Sequence, residues 1–160
     1  MKPCDLAALV HECCSEVLGS MYFTALLELK QLESIPGPPA CPAAPVCFSL
    51  QFTGDVSGRF GLHLEQVAAR ALAANFLGKD ETDISPLEIG EVAGELANML
   101  CGSLMSRVEG EHTFALSHPE ADRPAPPYRG EPLSFLLETD LGAIAIWILI
   151  ERSDLCRDPT

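Results

Sequence analysis

Positive charge is scarce in this sequence: 10 Lys and Arg stand against 23 Asp and Glu, a formal net charge of −13. No Lys/Arg cluster reverses that field locally, so the chain would repel a polyphosphate backbone, and nucleic acid is excluded as a natural partner. The cysteines lack any framework: seven of them, an odd number, include no CxxC pair and no repeated spacing. That pattern argues against a disulfide scaffold and fits thiols acting as small hydrophobes in a reducing, cytoplasmic compartment. Long apolar runs are also missing. The longest, Leu141 to Ile150, spans ten residues, about half of what a bilayer-crossing helix needs, so it reads as a buried strand and no membrane association is expected. Asp5 and Glu12 interrupt the N-terminal segment, which therefore does not read as an export signal.

What remains is an acidic chain of 160 residues with 48% hydrophobic and 21% charged side chains, a composition that folds, and a length that suits one domain over 1–160. The acidity has two readings: solubility alone, or a surface that meets partners presenting Lys or Arg.

Along the chain, Leu6, Leu9, Val10, Cys13, Val17 and Met21 recur at helical spacing, which predicts a long first helix continuing from Asp5 towards Leu29. Ser34 to Pro45 is too rich in proline for either regular structure and reads as a loop. Val46, Phe48, Leu50 and Phe52 alternate, a GDVSG turn follows, and Phe60, Leu62 and Leu64 alternate again, predicting a β-hairpin with one buried face. Glu65 to Leu77 returns to helical spacing and ends at Gly78, a natural left-handed terminator.

The next helix announces its own start. Ser85 as N-cap, Pro86 at the first helical position and Glu88 three residues after the cap form a capping box, flanked by Ile84 and Ile89 as a hydrophobic staple. The helix should run to about Val108, before Gly110. His112 to Ser117, Leu133 to Thr139 and Leu141 to Ile150 read as three closing strands, with Pro119 to Pro132 as a connecting loop. Neighbouring strands tend to pair antiparallel, so the expected fold class is α+β, with helices packed on an antiparallel sheet.

Because the cap fixes the register, the helix from Pro86 can be placed on a wheel at 100° per residue. Ile89, Val92, Leu96, Leu100 and Leu104, with their apolar neighbours, cover more than half the circumference. The strip left over, about 80° wide by the same geometry, carries Glu88, Glu91, Glu95, Asn98 and Gly102, with no cation among them. Stacked carboxylates repel one another and Asn and Gly weaken a helix, so the strip does not serve helix stability. It reads either as a plain solvent-facing strip or as a site, in which Gly102 would let a partner's backbone approach Asn98. Gly90 and Gly94 lie off the strip, where tight packing against another element accounts for them. The four histidines are scattered and form no nucleophile motif, and neither they nor Cys41 and Cys47 suggest a metal centre.

The segment GEVAGELANMLCGSL at 90–104 resembles the signature helix of the CheC/CheX chemotaxis phosphatases, in which Glu, two residues, then Asn is the catalytic core. The order of elements around it is similar too. The single copy of the motif resembles the CheX-like branch, whereas CheC-like members carry two. The resemblance implies a CheC-like fold and a phosphatase that hydrolyses the aspartyl phosphate of a CheY-like response regulator. Glu95 and Asn98 would be its catalytic residues, with Glu91 and Gly102 as further partner contacts. It also implies that Glu95 pairs with the Lys beside the regulator's phosphorylation site. Asn98, which cannot be a general base, would orient the attacking water through its amide. The Mg²⁺ would belong to the phosphorylated regulator, leaving this chain with no metal or cofactor of its own, and a homodimer is implied. The alternative reading is a non-catalytic adaptor that binds a response regulator and is related to flagellar switch proteins.

Overall fold

A computed structural model describes residues 3–33, 45–109, 114–121 and 132–151. Seven strands of the described residues assemble a single antiparallel sheet, and the element order is α1 (Pro3–Met21), β1 (Leu26–Leu32), β2 (Val46–Thr53), β3 (Ser57–Leu64), α2 (Gln66–Leu77), a 3₁₀ turn (Glu81–Asp83), α3 (Pro86–Glu109), β4 (Ala115–Leu116), β5 (Glu120–Ala121), β6 (Leu133–Thr139) and β7 (Gly142–Glu151). The strand order is β1-β6-β7-β3-β2-β4, with β5 also on β2, and every pairing is antiparallel. The fold is α+β, as expected.

The first helix departs from the sequence reading. It does not continue towards Leu29; it stops at Met21, and Leu26–Leu32 is an edge strand paired with β6. The stop lies at Phe23, which adopts a left-handed φ of 52°, while the Leu18 carbonyl accepts the N–H of both Tyr22 (3.2 Å) and Thr24 (3.1 Å). Asp140, in the β6–β7 turn, then accepts from the Thr24 hydroxyl and, at 3.0 Å, from the Ala25 N–H. These bonds pull the chain out of the helix and onto the sheet edge before the helical leucine spacing can act.

The β2–β3 hairpin pairs Val46 with Leu64 through Phe52 with Gly58. Its even-numbered residues, Leu50, Phe52, Phe60, Leu62 and Leu64, are buried in the main core beneath the helices, together with Phe135, Leu137, Ile144, Ile146 and Ile148 of β6 and β7. On the opposite face, Gly61 makes room for Trp147 of β7: a Cβ at position 61 would lie 1.9 Å from the indole. Helix α2 ends at Gly78 in the left-handed conformation (φ 65°), as its sequence position predicts.

Of the three expected closing strands, Leu133–Thr139 forms as read and the last is shifted by one residue to Gly142–Glu151, while the first is described over two residues only. Within 112–117, Ala115–Leu116 pairs with β2, while 110–113 lie outside the described residues. Inside the expected 119–132 loop, Glu120–Ala121 also pairs with β2, at Ser49 and Phe48, and 122–131 lie outside the described residues. The 34–44 stretch of the proline-rich segment and Cys41 lie outside them as well. Cys13, Cys14, Cys47 and Cys101 are buried thiols. No described helix is long and apolar enough to cross a membrane.

Candidate functional site: the outer face of α3

Helix α3 begins with the two hydrogen bonds of the expected capping box: the Ser85 N–H donates to Glu88 Oε1 (3.1 Å) and the Glu88 N–H donates to Ser85 Oγ (3.2 Å). Ile84 and Ile89, the staple pair, are both buried. One face of α3 then supplies Val92, Ala93, Leu96, Ala97, Leu100, Cys101, Leu104 and Met105 to the core, packed against α1, α2 and the β2–β3 hairpin. At its far end Arg107 binds Glu16 of α1 and donates to Ser103 Oγ (2.8 Å), which fixes the rotation of the helix at both ends.

With the rotation set, the strip separates into distinct parts. Glu88 is used up structurally: besides its capping role it pairs with Lys79 at 2.6 Å, and the Lys79 bond, followed by those to Ser85, holds its carboxyl below the ordinary range. Glu91 and Glu95 are exposed, and Asn98, one turn beyond Glu95, is half-buried with its side chain on the same face. The two side chains proposed for chemistry therefore lie i, i+3 on an outward surface. Gly102 is half-buried. A Cβ there would meet Leu116 Cδ1 of β4 at 3.6 Å, so the neighbour beside Gly102 is the chain's own closing strand.

Beneath Glu95 lies a residue that sequence reading passed over. Tyr22, fully buried at the end of α1, points its hydroxyl at Met99 Sδ (3.9 Å), and burial, then the charge of Glu95, holds the phenol protonated well above its usual range. Tyr22 also stacks on Phe76 at a centroid distance of 5.0 Å, and its carbonyl accepts from Asn75 Nδ2 at 3.0 Å. The end of α1 is thereby clamped between α2 and the Glu95–Met99 turn of α3.

The other side of the strip is bounded by the edge of β2. Between β4 and β5 the edge strand is interrupted by Pro119, which has no N–H to give to the ladder. Ser117 supplies substitute bonds, its N–H donating to the Gln51 carbonyl (2.9 Å) and its Oγ accepting from the Gln51 N–H (2.8 Å). His118 and Pro119 bulge towards α3, where Pro119 Cβ comes within 3.8 Å of a Cβ built on Gly94. A groove of 560 Å³ results, lined by Glu91, Glu95, Gly90 and Gly94 on one side and by His118 and Pro119 on the other. His118, assigned no role from sequence, shares this groove because an irregular edge brings it there, which no spacing rule reveals. Gly94 packs tightly on Phe48 of β2, as expected, whereas Gly90 faces the same ring with room to spare, and both glycines form part of the groove's lining. Among the described residues, no group of three or more His, Cys, Asp or Glu side chains could hold a metal.

A family model described as chemotaxis phosphatase CheX matches residues 46–126, from the start of β2 past the whole of α3. The chain belongs to the CheX family. The matched region contains the capping box, the Glu95–Asn98 pair and both walls of the groove. Solved structures agree on the fold. A CheX from Desulfovibrio desulfuricans is similar with a TM-score of 0.72 at 16% identity, covering 92% of this chain and 99% of that one. The CheX of a CheX–CheY–BeF₃–Mg²⁺ complex from Borrelia burgdorferi gives 0.66 at 17% identity, covering 91% and 97%. FliY of Thermotoga maritima gives 0.58 at 15% identity, covering 97% and 93%. No curated protein matches the sequence. The CheX architecture is thus common to chains with little sequence in common, and the chemistry must be argued from α3.

Proposed function

We propose that this CheX-family chain is a phosphatase for the aspartyl phosphate of a CheY-like response regulator, working with Glu95 and Asn98. The observation that carries the reading is the placement of these two side chains one turn apart on the outward face of a helix whose rotation is fixed at both ends. Hydrolysis of an acyl phosphate needs a water in line with the leaving carboxylate, opposite the bond to be broken. Asn98 offers both a donor and an acceptor at one amide, so it can hold such a water by its hydrogen and its lone pair together. Positioning of that kind lowers a barrier without any proton transfer to the amide.

Glu95 serves as the anchor. An exposed carboxylate one turn from Asn98 suits a Lys next to the phosphorylated aspartate, so that docking and water placement occur in one step. The Mg²⁺ that offsets phosphoryl charge resides on the regulator, and a CheX–CheY complex from Borrelia burgdorferi contains Mg²⁺ and BeF₃. Glu91 extends the acidic contact. The protein acts in the cytoplasm, where response regulators reside, as a homodimer.

A second reading is an adaptor that binds a regulator and hydrolyses nothing, for which the outward acidic face of α3, with Glu91 and Glu95 exposed, would serve as a docking surface alone. Phosphate release from a phosphorylated CheY-type regulator in Mg²⁺ separates the two. The phosphatase accelerates release, and Asn98→Ala abolishes the acceleration; a wild-type chain that binds the regulator yet leaves its dephosphorylation rate unchanged is an adaptor.

A further inference from the structure

Gly90 is not demanded by its surroundings. A Cβ at Gly94 would press on Phe48 Cε1 at 3.3 Å, but a Cβ at Gly90 meets nothing nearer than Phe48 Cζ at 3.9 Å, an ordinary contact. Gly90 has no positive φ either. A glycine inside a helix costs about 1 kcal/mol relative to alanine, so the empty position weakens α3 for no packing gain. What it does is keep the groove open between α3 and the His118–Pro119 bulge. The lip of that groove carries Leu87, 72% exposed; Phe48, Pro86 and Pro119 join the two glycines as its apolar lining, and His118 is a polar member of the far wall. Glu91 and Glu95 are its carboxylates, and no Lys or Arg lines it.

We infer that this groove is a second docking subsite for the response regulator, taking an apolar side chain that is flanked on the regulator's surface by Lys or Arg. The inference rests on the proposed function, because Glu95 belongs both to the groove and to the reacting pair, so whatever fills the groove lies beside the phosphorylation site. Apolar burial on Phe48, Leu87 and Pro119 supplies affinity, while Glu91 and Glu95 select a cationic neighbour and reject an acidic one. The groove thereby discriminates among regulators whose phosphorylation sites are chemically alike.

The test is the affinity of the full chain for a CheY-type regulator of the same genome, loaded with Mg²⁺ and beryllofluoride so that binding is read without turnover. Gly90→Leu fills the groove, and Gly90→Ala reports what a helix-stabilising change at this position does to folding. The expected result is at least a tenfold loss of affinity in Gly90→Leu with no fall in melting temperature; a loss smaller than that overturns the subsite. If Gly90→Leu melts early, Leu87→Ser on the exposed lip decides, with a loss of threefold or more expected and a smaller one counting against the groove. Should Gly90→Leu instead convert a dimer to a monomer in sedimentation while regulator affinity holds, the occupant is a second copy and the inference fails. Failure of the phosphatase reading shows elsewhere, as absent phosphate release in the wild type with tight binding intact.

Discussion

Ser85 and Glu88 hold each other's backbone N–H groups, at 3.1 and 3.2 Å, across the first turn of α3. The pair sets the start of the helix and hence the rotation at which Glu95 and Asn98 emerge. Removing the Ser85 hydroxyl leaves the Glu88 N–H without its partner, and N-cap losses of this kind cost about 1 kcal/mol. Ser85→Ala should therefore lower unfolding stability by about that amount in urea titration, whereas Glu91→Ala, an exposed change on the same helix, should leave the midpoint in place. Equal effects would mean that the cap does not fix this helix.

Phe23 makes a second, local prediction. It holds a left-handed φ of 52° and is 71% exposed, so its ring contributes little while its backbone is strained. A residue with a Cβ pays about 1–2 kcal/mol in this region and glycine does not. Phe23→Gly should be more stable than Phe23→Ala by about 1 kcal/mol, the reverse of the usual order. Thermal or chemical denaturation of the two variants checks it, and alanine being the more stable would show that α1 is not terminated by this conformation.

The same residue explains why one strand was not legible in the sequence. Helix ends are read from Gly or Pro, and the chain from Ser20 to Ile35 has neither, while Leu26 and Leu29 continue a helical spacing into what is an edge strand. The decision is made by Leu18, Thr24, Ala25 and Asp140, whose bonds span more than a hundred residues of sequence for the Asp140 contacts. Ser85, Pro86 and Glu88, by contrast, act within one turn, so the start and register of α3 could be read directly. Glu88 nevertheless has two readings in sequence, a member of the acidic strip and a capping residue; the Lys79 pair and the capping bonds assign it to the second. The groove was invisible for a related reason. His118 and Pro119 reach α3 through an irregularity in the β2 edge, and pairing of that kind leaves no periodic trace.

Stability should fall at both ends of the pH scale, for opposite reasons. Glu88 is held below its ordinary 4.5 by Lys79 first, and Asp140 below its ordinary 3.8 by the Thr24 hydroxyl first. A carboxylate lowered by folding contributes fully above its unfolded value and loses that contribution as pH falls through the lowered one. The acid limb therefore begins near pH 4.5 and deepens below it. Burial pushes the Cys101 thiol from 9.0 up to about 12 and raises Cys14 further. Those groups stabilise fully below 9.0 and lose the contribution as pH rises beyond it, since the unfolded thiols then ionise. Denaturant midpoints measured from pH 3 to 10 should show a plateau between the limbs, and Asp140→Asn should flatten the acid limb alone. A midpoint unchanged below pH 4 would contradict these assignments.

Glu95 and Asn98 should fail in different ways when changed. The Asn98 amide acts only on a water present during reaction, so Asn98→Ala removes a transition-state interaction, lowering kcat and kcat/KM together while KM moves little. A loss of at least a hundredfold in regulator dephosphorylation is expected, about 2.7 kcal/mol at 1.36 kcal/mol per tenfold. Glu95 meets a cation on the regulator before and during reaction, so Glu95→Lys, which turns attraction into repulsion, should raise KM by a larger factor than it lowers kcat. Both positions face outward, and neither variant should shift the melting temperature by more than a few degrees. The measurement is phosphate release across a range of phosphorylated regulator concentrations, with binding of the beryllofluoride-loaded regulator as a second readout. Asn98→Ala that turns over normally, or Glu95→Lys that binds as tightly as the wild type, would remove that residue from the mechanism.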